Sequence, residues 1–200
     1  MLSLKNIGKQ FNNRWLFKNV NLTISNSEVL AVKGHNGAGK STMLQIISNS
    51  MEASEGDILL NDNEVKPLNY SMCSPHTALY KDLSVKEHYQ LISELKGINL
   101  NQKDFREYCL LDKKDFSKKI VQEFSSGMKQ RVKLAFALLS PAPLLILDEP
   151  SSNLDDNATK WFLDNWAQVK DHKINILATN RPETECPFEH TVLEITNYKV

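Results

Sequence analysis

Apolar and polar residues alternate along the first 33 positions. Leu2 and Leu4 stand between polar neighbours, and Val20, Leu22 and Ile24 repeat the pattern. A period of two predicts half-buried strands, and Asn12-Asn13 predicts the turn between them. The alternation then gives way to an unbroken apolar run, Val29-Leu30-Ala31-Val32, a glycine-rich stretch, and Met43-Leu44-Gln45-Ile46-Ile47. That order predicts strand, loop and a helix reaching about residue 50. Residues 56–65 predict a hairpin that turns at Asn61-Asp62-Asn63. Residues 69–73 predict a short buried strand, followed by a loop over 74–82.

From residue 84 to 140 the period becomes helical. Ser84 with Glu87 three positions on is a capping box. Tyr89, Ile92 and Leu95 keep helical spacing up to Gly97, a stop signal. Residues 102–111 predict a second helix with Phe105, Tyr108 and Cys109 on one face. A third, over 126–139, carries Met128, Val132, Ala135, Phe136 and Leu139. The lysine-rich stretch 113–119 reads as a solvated connection. Pro141-Ala142-Pro143 ends the helical region. Leu144-Leu145-Ile146-Leu147 then suits a central parallel strand and ends in Asp148-Glu149-Pro150. A loop over 151–155, a helix over 156–170, and strands over 174–179 and 191–196 complete the chain. The expected fold is α/β, with an all-helical insertion within the α/β frame.

The stretch Gly34-His35-Asn36-Gly37-Ala38-Gly39-Lys40-Ser41-Thr42 fits G-x-x-x-x-G-K-[ST] in the strand-then-helix setting that this pattern requires. Its glycines let backbone amides curl around phosphates, and the start of the helix adds a positive dipole end. Lys40 is placed to reach the β- and γ-phosphates, and the Ser41 hydroxyl to bind Mg²⁺. Ligands of an open parallel sheet sit at the carboxyl ends of its strands. The strands before Gly34 and Asp148 both end there. Asp148 is then a candidate Mg²⁺ ligand. Glu149 is a candidate general base for the attacking water, a role worth roughly 10²–10⁴-fold. Phe11, by composition alone, reads as a core aromatic more readily than as a base-stacking one.

Composition narrows the partners. Twenty-four basic and 24 acidic residues cancel, so no basic face argues for direct nucleic-acid binding. The first residues lack the apolar core of a signal peptide, and no run reaches the ~18 apolar residues of a membrane span. The expectation is a cytoplasmic chain held at the membrane only through a partner. Cys73, Cys109 and Cys186 are odd in number and show no metal spacing, so each reads as a small packed apolar residue.

One further segment narrows the class of nucleotide enzyme. Glu123-Phe124-Ser125-Ser126-Gly127-Met128-Lys129-Gln130-Arg131 opens a helix on a serine-glycine turn between Lys40 and Asp148. With it the chain resembles an ATP-binding-cassette ATPase over nearly its whole length. Phe124-Ser125-Ser126-Gly127-Met128 looks like a variant of the family's Leu-Ser-Gly-Gly-Gln signature. Ser152-Asn153-Leu154-Asp155 resembles its D-loop, and Asp148-Glu149 stands at its second nucleotide motif. The resemblance implies a P-loop NTPase (RecA-like) core with its antiparallel β-subdomain, approximately 1–83 and 141–200, and an inserted helical signature subdomain, 84–140, in one ATPase domain. It implies ATP and Mg²⁺ as cofactors and a head-to-tail dimer closing on two ATP molecules. Each ATP would lie between one chain's Gly34–Thr42 and the other chain's Ser125, Ser126 and Gly127. It also moves Phe11 to the position that stacks on adenine, and makes Asn180 the counterpart of the switch histidine.

Three departures from the family pattern stand out. Ser126 and Met128 replace a glycine and the glutamine of the signature. Ser74-Pro75-His76 offers no glutamine where one is expected. Asn180 can hydrogen-bond a γ-phosphate but carries no charge. Ala78, Leu79 and Tyr80 form an apolar patch in a loop, which is either buried or a contact site, and the resemblance favours contact. The family implies a membrane-spanning transporter subunit as the partner there. The expected activity is ATP hydrolysis coupled to transport, with export as the expected direction, and the size resembles the small haem-exporter type. The alternatives are a soluble ATP-driven switch acting on protein or ribosome, and a slow-hydrolysing nucleotide module.

Overall fold

A computed structural model describes residues 1–199. Strands β1 (Leu2–Phe11) and β2 (Arg14–Ile24) pair antiparallel around Asn12 and Asn13. Both turn residues have positive φ, 48° and 59°, the geometry whose twist matches a two-residue hairpin. Strand β3 (Val29–Lys33) leads into helix α1 (Lys40–Ile47), which stops short of the expected residue 50. The amides of Ser50 and Met51 instead fold back on the Gln45 carbonyl, around Asn49 at φ 56°. Strands β4 (Glu55–Leu60) and β5 (Asn63–Glu64) turn at Asn61-Asp62 and join β1 and β2 in one antiparallel sheet, ordered β2-β1-β4-β5.

Strand β6 (Tyr70–Cys73) is followed by four helices: α2 (Val85–Lys96), α3 (Gln102–Tyr108), α4 (Lys113–Ser117) and α5 (Ser126–Leu139). The Ser84–Glu87 capping box forms in both directions, and Gly97 closes α2 with a left-handed turn. Two expectations need correction here. Helix α3 ends before residue 111, because Leu110 turns left-handed at φ 56°. The lysine stretch is not merely a solvated connection. Asp112 caps α4, and Phe116 is buried against its neighbours. Strand β7 (Leu144–Asp148), helix α6 (Asp156–Val169), strand β8 (Ile174–Thr179), helix α7 (Pro182–Glu185) and strand β9 (Thr191–Glu194) follow. The last strand ends at Glu194, and Ile195–Tyr198 form a 3-10 turn rather than more strand. The second sheet is wholly parallel, ordered β6-β7-β8-β3-β9.

Strand side chains point alternately to opposite faces, and the parallel sheet uses both. Leu30, Val32, Leu144, Ile146 and Ile176 face α1 and the antiparallel sheet. Val29, Leu145, Leu147 and Leu177 face α5 and α6, where Phe162 and Trp166 fill the layer. That explains why β7 and β8 are buried along their full length and why β7 reads as an apolar run up to Asp148; in β8 the buried Asn175 is satisfied by accepting from the Trp166 indole N–H at 3.0 Å. A third cluster belongs to the helices between β6 and β7. Phe105 lies 5.0 Å from Tyr89 and 4.7 Å from Phe136 between ring centroids, a spacing worth roughly 0.5–1.5 kcal/mol per pair beyond burial. Helix α5 serves two clusters. Val132, Ala135 and Phe136 point into the helical one, and Leu134, Ala137 and Leu138 into the layer beneath the sheet.

Candidate functional site

The carboxyl ends of β3, β7 and β8 open onto two adjoining clefts. At the end of β3 the chain curls through residues 34–39 and enters α1 at Gly39, whose φ is 107°. A side chain there would be strained, and its β-carbon would lie 2.9 Å from Leu16 Cδ2. No side chain caps the start of α1, so its first amides remain free for an anion. Gly37, Gly39, Lys40, Ser41 and Thr42 line a cleft of about 330 Å³ together with Asp148 and Glu149.

Lys40 is only 6% exposed. Its ammonium donates to the Gly34 carbonyl at 2.8 Å and to the Asn180 amide oxygen at 2.6 Å. A lysine can only donate, which orients the Asn180 amide. Its NH₂ then reaches the Asn36 side-chain oxygen at 2.8 Å. Asn180 thus stands between the phosphate-loop cleft and a neighbouring one of about 390 Å³, lined by Ser151, Ser152, Asn153 and Arg181. Asn36 and Glu149 line both clefts. His35 is exposed, with Nδ1 donating to the Asn36 carbonyl at 2.8 Å and Nε2 accepting from Lys199 at 3.0 Å. Gly34 and Ala38 are buried beneath the loop.

Asp148 is 2% exposed at the end of β7. Burial pushes its carboxyl above the ordinary carboxylate range, and the charge of Glu149 adds to this. The Ser41 hydroxyl, Lys40 and His76 act the other way. Glu149 has a left-handed backbone, φ 49°, and its N–H donates to the Ala178 carbonyl at 3.0 Å.

The other predicted residues lie elsewhere. Ser125 caps α5, its hydroxyl accepting from the Met128 amide at 3.2 Å. Ser125 and Ser126 are exposed, Gly127 is partly so, and none of the three lines either cleft. Phe11 is not a core residue, as composition alone had suggested. It sits 47% exposed at the end of β1, with the Lys9 ammonium 5.1 Å from its ring centre. Its strand partner β2 supplies Leu16 to the cleft wall.

The family described as ABC transporter matches residues 17–152, the span from β2 through the loop after Glu149. The chain belongs to the ABC transporter family. It is an ATP-binding cassette, the ATPase domain of that family. It is 34% identical over 176 residues to the methionine import ATP-binding protein MetN of Clostridioides difficile, covering 82% of this chain and 55% of that one. It is 32% identical over 163 residues to the lantibiotic transport ATP-binding protein SrtF of Streptococcus pyogenes, covering 78% of this chain and 69% of that one. The chain thus spans about half of the first relative's length and about two thirds of the second's. Its fold superimposes on a bacterial ABC transporter cassette solved as a dimer, with a TM-score of 0.83, 22% identity, and 98% of this chain and 95% of that one covered. These matches do not single out the haem-exporter subtype.

Pro75, which has no side-chain donor or acceptor, lines the cleft from the loop after β6, the stretch Ser74-Pro75-His76 in which the family resemblance leads to the expectation of a glutamine. The sequence reading passed over Gln130, buried on α5 with its amide on the Pro150 carbonyl. Its signal was a polar residue heading the second apolar stripe of that helix, 130, 134, 137 and 138. No helix among the described residues is long and apolar enough to cross a membrane.

Proposed function

We propose that this chain binds and hydrolyses ATP as the nucleotide-binding subunit of a membrane transporter, closing head-to-tail with a second copy on two MgATP molecules. The observation that carries the reading is the convergence of Lys40, Ser41, Asp148, Glu149 and Asn180 on the uncapped start of α1. ATP phosphates would lie across residues 34–42, and Lys40 would exchange Asn180 and Gly34 for phosphate oxygens. The Ser41 hydroxyl and the Asp148 carboxylate form a hard oxygen donor set that fits Mg²⁺, and they would hold it. When bound, Mg²⁺ neutralises charge on the β- and γ-phosphates. Glu149 would accept the proton of the attacking water. Asn180, freed from Lys40, would hydrogen-bond the γ-phosphate without adding charge, and Phe11 would stack on the adenine.

The exposed Ser125, Ser126 and Gly127 line neither cleft of their own chain, which suits a role on a second copy's ATP. A cassette of the same fold solved as a dimer supports pairing with a second copy. Exposed Tyr80 and the loop around it suit a contact with a membrane-spanning subunit, which would hold the cassette at the cytoplasmic face. Direction and cargo belong to that partner: the relatives include a methionine importer and a lantibiotic transporter.

The test pairs Glu149→Gln with wild type in an ATPase assay and follows the tagged chain through detergent-solubilised membranes. Loss of turnover in the variant and recovery of a membrane subunit with the chain are expected. Equal phosphate release from both proteins, or recovery only with ribosomes, would overturn the reading.

A further inference from the structure

Gln130 is a buried amide that the proposed chemistry does not use. It is 6% exposed on α5. Its Nε2 donates to the Pro150 carbonyl at 2.9 Å and lies 3.7 Å from Cys73 Sγ. Pro150 directly follows Glu149, whose left-handed backbone costs roughly 1–3 kcal/mol and persists only where its surroundings hold it. On one side the Glu149 amide is held by the Ala178 carbonyl of β8. On the other side the side chain that grips the chain is Gln130. A second contact lies close by. Gly127 approaches the Asn153 carbonyl so closely that a β-carbon there would stand 2.9 Å from it. The start of α5 therefore grips the loop after β7 at Pro150 and at Asn153.

We propose that Gln130 is a positioning residue for hydrolysis: through the Pro150 carbonyl it holds Glu149 at the angle its carboxylate needs in the cleft. The proposal rests on the reading of Glu149 as the base that prepares the water. Gln130 lines neither cleft, so it acts on turnover and not on nucleotide affinity. A hydrogen bond that sets the lie of a catalytic group matters because a shift of about 1 Å can cost on the order of a hundredfold in rate.

Two substitutions test this. Gln130→Met keeps length and volume and removes the donor. Gln130→Glu keeps the shape but turns an oxygen toward the Pro150 carbonyl. Both are expected to lower kcat by at least about tenfold while KM for ATP stays within about twofold. Gln130→Glu adds a signature that a merely structural role lacks. Burial raises a carboxyl pKa, and the protonated acid is again a donor. Its turnover relative to wild type at the same pH should therefore rise as pH falls from about 8 to about 6. Wild-type kcat in either folded variant overturns the proposal, as does a loss confined to KM. If Gln130→Met does not fold, a pH-independent ratio for Gln130→Glu overturns it alone. Glu149→Gln run alongside separates the two readings. Wild-type turnover there means the base is misassigned. An inactive Glu149→Gln beside a fully active Gln130→Met means that only the present inference is wrong.

Discussion

Asn180→Ala tests how Lys40 is held. The Lys40 ammonium has two close acceptors, the Gly34 carbonyl and the Asn180 amide oxygen. A hydrogen bond from a charged donor contributes about 1.5–3 kcal/mol net. Asn180 is exposed and Lys40 is not, so water replaces part of that contribution, leaving about 1–2 kcal/mol. Any phosphate that recruits Lys40 must displace this bond. ADP is the discriminating probe, because its phosphates reach Lys40 while it has no γ-phosphate for Asn180 to hold. Asn180→Ala is therefore expected to tighten ADP binding by about 5–30-fold, the factor that one or two kcal/mol provides. Turnover at saturating ATP should fall, since the γ-phosphate loses its amide partner. Isothermal titration with ADP, beside steady-state phosphate release, reads both. Unchanged or weaker ADP binding would refute the idea that Asn180 competes for Lys40.

Other outcomes follow from the same geometry. Ser126→Arg puts a long cation at an exposed position outside the chain's own cleft. It should leave monomer ATP binding intact and abolish both ATP-dependent dimerisation, read by light scattering, and hydrolysis. Normal hydrolysis in that variant would rule out a shared site. All three cysteines are buried, and burial pushes the Cys73 thiol up to about 12, so it stays protonated at neutral pH. Thiol reagents should label the native chain slowly and label all three sites once it unfolds. Rapid labelling of Cys73 in the folded protein would contradict its place beneath α5.

Much of this was legible in the sequence because the signals were local. The strand, glycine turn and helix from Val29 to Ile47 follow from periodicity and a spaced pattern. The Ser84–Glu87 cap follows from two residues three apart. What escaped was either short or distant. Helix α4 is five residues long and carries a single large apolar side chain, Phe116, too little for a period. The bond between Lys40 and Asn180 joins residues 140 positions apart, and no pattern within either segment contains it. Phe11 misled by type: aromatic residues usually pack inside, but here the end of β1 projects beyond the core and leaves the ring exposed. Gln130 was hidden because α5 has two apolar faces, and only the one toward the helical cluster was visible as a stripe.

Those two faces bear on how the protein can be taken apart. A segment cut at residues 84 and 140 would carry α5 with Leu134, Ala137 and Leu138 bared to water, since their partners lie on the parallel sheet and α6. At about 25 cal/mol per Å² of apolar surface, that exposure is large against the few kcal/mol by which a segment of this size is stable. The excised helices should therefore behave as a molten or self-associating fragment. The sheet that loses them should do the same. The chain is expected to unfold in one cooperative transition despite its separate clusters, with α5 as the common wall that neither side can form alone.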